Sequence, residues 1–169
     1  MWNRFSPKLM IAVGALLLLT GISYWAYNAV LPRTQPISVP EAVAGVPVTK
    51  KIFGADAVTE VTLVHGKEFP MTSGVIAIYG DNLATVWVSS SAQNTIAAQM
   101  VQAMTNKIAE GRSPFTSPKT RPLNGRTVYE MNGMGQQHFY FQAGKLVIWL
   151  TADKTIAEKA LGEITAFYP

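Results

Sequence analysis

The chain contains no cysteine, only two histidines, and few charges: Asp, Glu, Lys and Arg make up 14% of its 169 residues. Without cysteine there are no disulfide frameworks, thiolate zinc sites, c-type haem attachments, thiol nucleophiles or acylated Cys anchors. Sparse charge beside 49% hydrophobic residues excludes a wholly disordered chain. His65 and His138 form no HxH or HExxH spacing, so neither a metal nor a cofactor is expected. No serine lies in a nucleophile elbow and there is no Walker lysine, so no residue is assigned a catalytic role. The G-x-G at Gly133 to Gly135 falls between expected strands and lacks the following helix whose amides would cradle phosphate. Nucleic-acid-binding motifs are missing as well.

One long run without charge is present. Residues 9–31, LMIAVGALLLLTGISYWAYNAVL, are nearly all apolar, and about 20 such residues in a helix cross the roughly 30 Å hydrocarbon layer. Pro7 and Pro32 bound the run, while Trp2, Phe5, Tyr24, Trp25 and Tyr27 lie where aromatic rings favour the two membrane interfaces. Arg4 and Lys8 before it, against Arg33 after it, place residues 1–8 in the cytoplasm by the positive-inside rule. The expected localisation is therefore a cell membrane, crossed once, with the C-terminal domain extracytoplasmic and lipid contacted through residues 9–31. A cleaved secretory signal, with Gly21 and Ser23 at the cut, is the competing reading. The apolar run continues past that cut to Leu31, which favours the anchor.

Residues 32–50 carry Pro32, Pro36, Pro40 and Pro47 and no clear periodicity, and are expected to form an extended, semi-rigid spacer or, alternatively, to lie along the domain surface. Residues 51–169 then make a small α+β domain. A helix is expected over Ala55 to Val64, closed by Gly66 with His65 in its last turn, although its β-branched residues suit a strand equally. Gly74 to Tyr79 and Leu83 to Ser89 read as a hairpin, and Ala92 to Ala109 as an amphipathic helix with Ile96, Met100, Val101, Met104 and Ile108 on one stripe. A Pro-punctuated loop from Arg112 to Pro122 follows. Strands are then expected over Arg126 to Met131, Gln137 to Gln142 and Lys145 to Thr151. Asp153 is expected to cap a last helix over Lys154 to Phe167.

Two segments correspond: Trp87 falls on Trp149, Tyr79 on Phe141, Val86 on Ile148 and Ser89 on Thr151. This suggests an antiparallel sheet built from two ββα units, with the helices on one face and the other face free for function.

Candidate binding residues fall in two groups. His138, Tyr140 and Tyr129 belong to neighbouring strands. Arg112, Lys119, Arg121 and Arg126 form a basic run with no acidic residue between Glu110 and Glu130, suited to lipid headgroups, an acidic partner or a glycan, or simply to a solvated loop.

The leading reading is thus a membrane-anchored binding or accessory module, with an envelope protein as its partner. The second is an envelope enzyme, or a small-ligand or metal-binding protein, using a pocket on the exposed sheet face lined by His138, Tyr140 and Tyr129. The third is a structural subunit docking its membrane helix through Gly14 and Gly21. The net charge of +4 arises mostly around the anchor, since ten basic residues meet nine acidic ones from Lys51 onward. The anchor reading predicts that the native protein retains residues 1–23. Intact mass checks this, and a mature N-terminus at Tyr24 would show cleavage instead.

Overall fold

The computed structural model describes residues 7–30, 36–65 and 70–169, with side chains over 9–26, 36–63 and 70–169. Gly66 and the side chain of His65 lie outside the described residues. The first element is α1 (Pro7–Val30). It is apolar on every side, with no stripe that would pack it against a soluble core. Its segment Leu9–Ala26 is long and apolar enough to cross a membrane.

Pro36–Pro169 form a separate compact unit. In chain order its elements are β1 (Ala42–Val43), β2 (Val46–Phe53), α2 (Gly54–His65), β3 (Met71–Tyr79), β4 (Ala84–Ser91), α3 (Asn94–Ala109), β5 (Lys119–Leu123), β6 (Arg126–Gly133), β7 (Gln136–Ala143), β8 (Leu146–Ala152) and α4 (Ala157–Phe167). The eight strands form one sheet in the order β1-β2-β3-β4-β8-β7-β6-β5, and every described pairing is antiparallel. Two four-stranded meanders are thus joined where β4 meets β8. The fold is α+β, as the alternation of strand and helix patterns implied.

Strand side chains alternate between the sheet faces, and each face has its own core. On one side Val75, Ala77, Tyr79, Val86, Val88, Phe139, Phe141, Ile148 and Leu150 pack against Ala157, Ala160, Leu161 and Ile164 of α4. On the other, Met131, Tyr140 and Val147 pack against Ala97, Met100, Val101 and Ile108 of α3. Helix α2 lies near β3, where a Cβ on Gly74 would stand 3.4 Å from the Ala57 Cβ, so the missing side chain allows the close approach.

The sequence expectations need four corrections. Residues 36–50 are not a free spacer: they supply β1 and the start of β2, and Val39 and Val43 are buried. Tyr79 donates to the Pro40 carbonyl at 2.9 Å, Tyr168 to the Ser38 carbonyl at 2.8 Å, and the Ala44 amide to the Glu163 carboxylate at 2.6 Å. Burial raises both phenols well above the usual tyrosine range, with Glu41 adding to the effect at Tyr79, so both remain protonated donors.

The Pro-rich loop ends early, because Lys119–Leu123 pair with β6 as the last strand of the sheet. Proline is tolerated there, where one side of the strand has no ladder to complete. Asp153 does not cap α4. Its carboxylate accepts the Thr155 amide and hydroxyl in a turn, which holds it below the usual carboxylate range, and the helix begins at Ala157.

The last correction concerns the ββα units. Trp87 pairs directly with Trp149 across β4 and β8, so the match of those two strands describes a local two-fold relation through that pair. The outer strands depart from it, since Val86 faces Ala77 while Ile148 faces Phe141, which makes Ala77 and not Tyr79 the counterpart of Phe141. The helices depart too: α3 packs on the tryptophan face and α4 on the opposite one. The correspondence is therefore confined to β4 and β8.

Tyr168→Phe should lower stability by about 1–2 kcal/mol by leaving the Ser38 carbonyl without its partner. Urea unfolding of the full-length protein measures it.

Candidate functional site

Strand register places two rows of side chains across the tryptophan face. The first runs Tyr129, Tyr140, Trp149, Trp87, Ile76, Ile52 over β6, β7, β8, β4, β3 and β2. The second runs Met131, His138, Thr151, Thr85, Ile78, Lys50 over the same strands. Cross-strand neighbours on one face stand close enough to touch, so each row packs as a unit. Tyr129 stacks on Tyr140 with centroids 4.7 Å apart, and Tyr140 on Trp149 at 5.4 Å.

Helix α3 covers the tyrosine end of these rows, and the Tyr140 hydroxyl lies 2.8 Å from Thr105 Oγ1. Helix α2 flanks the other end. Between the two helices the middle of the sheet is left open as a groove of about 650 Å³. Ile76, Ile78, Thr85, Trp87, Trp149 and Thr151 form its floor; Glu60 and Val61 line it from α2, Met100 and Met104 from α3. Phe115, Met134 and Gln136 line it near the β6–β7 turn. Gly133 is required there, since a side chain would overlap the Phe115 ring and the Pro114 carbonyl.

His138 is buried in this groove. Its Nε2 lies 3.0 Å from the Gly133 carbonyl, which can only accept, so Nε2 carries the proton. Its Nδ1 then accepts the Thr151 hydroxyl at 3.1 Å, while Thr151 accepts the Trp149 indole N–H at 3.2 Å. Phe115 meets the His138 ring edge-on at 4.8 Å and Trp149 at 5.5 Å. Burial holds the imidazole below the usual histidine range, although the Gly133 carbonyl favours the charged ring. Both ring nitrogens are thus engaged, and the residue fixes the position of Trp149.

Of the residues expected from sequence, His138 lines the groove, while Tyr140 and Tyr129 continue its aromatic row beneath α3. The basic run lies elsewhere and is not gathered into one patch. Arg112 lies 3.8 Å from Glu110. Arg121 reaches both Glu158 oxygens, at 2.8 and 3.0 Å, with Nε 3.2 Å from Glu130. Arg126 stands over the Phe141 ring at 5.4 Å and donates to the Tyr168 carbonyl. Lys119 is exposed on the edge strand. Sequence reasoning missed Trp87, Trp149, Ile76, Ile78, Met100 and Met104 as site residues, although the internal correspondence had already singled out the two tryptophans. Among the described residues, no group of three His, Asp or Glu could hold a metal ion.

No family model, curated protein or solved structure matches this chain.

An unfolded histidine takes up a proton near pH 6.5, which the folded His138 resists. Its contribution is therefore fully present above about pH 6.5 and is lost progressively as pH falls from there through the lower folded-state value. Urea unfolding of wild-type and His138→Asn full-length proteins should show a gap in stability at pH 8 that narrows by pH 5.

Proposed function

We propose that the chain is a single-pass membrane-anchored binding module. Residues 9–31 hold it in a cell membrane with residues 1–8 in the cytoplasm, and the α+β domain is presented outside, where its groove takes an apolar ligand. The observation that carries this reading is the open groove over Trp87 and Trp149. Its volume of about 650 Å³ lies within the range of roughly 300–1,000 Å³ usual for small-ligand sites. Its walls are mainly aliphatic, aromatic and methionine side chains, which adapt to apolar shapes.

Binding is favoured over catalysis by the state of His138. A general base needs a free ring nitrogen aimed at a substrate, and both of its nitrogens are committed to neighbours. An acidic partner at the basic run is less well supported, because Arg112, Arg121 and Arg126 are already engaged by carboxylates or by the chain's own carbonyl.

The test is binding of the fluorescent apolar probe anilinonaphthalene sulfonate to the full-length protein in nanodiscs, with empty nanodiscs as background. Saturable binding at one site is expected. Trp87→Ala and Met104→Lys should each weaken it at least tenfold, since a side chain's worth of apolar contact is about 1.5–3 kcal/mol. Binding unaffected by both substitutions would remove the groove from the argument.

A further inference from the structure

The nature of the groove's ligand follows from what the floor can and cannot pair with, and the inference rests on the binding reading above. β3, β4 and β8 each have a strand on both sides, so their backbone donors and acceptors are spent within the sheet. Trp149, Thr151 and His138 bond to one another and to Gly133. A peptide laid on this floor would bring an N–H and a C=O per residue and find few partners, at about 1–3 kcal/mol for each group left unpaired. An alkyl chain brings no such groups and loses nothing on Ile76, Ile78, Trp87 and Met104.

The margin beside β2 and α2 is different. Lys50 and Glu60 line it, both are exposed, and among the described residues neither is in an ion pair. A cation and an anion left apart at the mouth of an apolar groove complement a headgroup that itself carries both signs.

We propose that the groove takes an acyl chain of a zwitterionic membrane lipid, with the lipid's phosphate at Lys50, its amine at Glu60 and its alkyl chain over Trp87 and Trp149. A free fatty acid shares the alkyl chemistry but offers only an anion, and a peptide offers neither match.

Full-length Trp2→Phe/Trp25→Phe protein leaves Trp87 and Trp149 as the only indoles. In nanodiscs of phosphatidylethanolamine with dibrominated chains, mixed with plain phosphatidylglycerol, contact quenching should at least halve their emission relative to unbrominated discs. Moving the bromines to the phosphatidylglycerol should give less than half that quenching, and Glu60→Lys should abolish the difference between the two lipids. Ile78→Lys and Met104→Lys, two independent ways of placing charge in the groove, should each restore most of the emission while circular dichroism stays unchanged.

Quenching that persists in both lysine variants would mean that the domain rests on the bilayer by another surface, and would overturn the proposal. So would emission that is the same in brominated and plain discs. Added dibromostearate separates the two readings: if it quenches where bilayer lipid does not, the lipid is wrong and the apolar groove stands. If neither quenches and the naphthalene probe also fails to bind, both fall.

Discussion

The ladder between β4 and β8 is the pairing on which the rest of the domain depends. It joins two meanders that would otherwise each expose an edge, and it brings together residues some sixty positions apart in sequence. Its register also decides which side chains go where. With Trp87 opposite Trp149, Val86, Val88, Ile148 and Leu150 all turn towards α4 and are sealed, while both tryptophans turn to the other side. A slip of one residue would exchange those two sets, placing indoles against α4 and aliphatic side chains in the groove. Core and groove are therefore set by one event.

The groove is open because of how the crossings are made. Helix α4 follows the last strand and is free to lie on the α4-side core. Helices α2 and α3 connect strands and are drawn to opposite flanks of the other face, one beside β3 at Gly74, the other over Met131 and Tyr140. The strip between them belongs to neither. An apolar strip left open in a folded domain costs solubility, and a protein that keeps one generally uses it. The His138, Thr151 and Trp149 chain adds to this point, because a network of three polar groups is spent on holding one indole in place at the groove floor.

Much of this was legible in the sequence, because period and turn residues are local signals. The hairpin of β3 and β4, the strands β6 to β8 and the stripe on α3 all announce themselves within a dozen residues. What was hidden is non-local. Residues 36–50 look like a spacer because their prolines mask an edge hairpin, whose place is secured by Tyr79 and Tyr168 from far along the chain. A helical stripe shows that a helix packs, but not on which face, so α3 and α4 looked equivalent. The basic run seemed unpaired because Glu130 and Glu158 lie beyond it in sequence and meet Arg121 only in the fold. The groove escaped notice for the same reason: its lining comes from β2, α2, β3, β4, α3, β7 and β8 together.

The two faces divide the work. Residues 37–44 pack into the α4-side core, and Glu163 on α4 holds the Ala44 amide, so the incoming chain is fixed to the closed side of the sheet. Attachment therefore takes no surface from the tryptophan face. The edge hairpin nonetheless lies beside the groove, because β2, the second strand of the sheet, carries Lys50 and Ile52 to it. Trp87 and Trp149 sit on the two central strands, the fourth and fifth from that edge. The segment before β1 and the groove thus use opposite faces of the sheet, so the side chains that hold the one are not those that line the other.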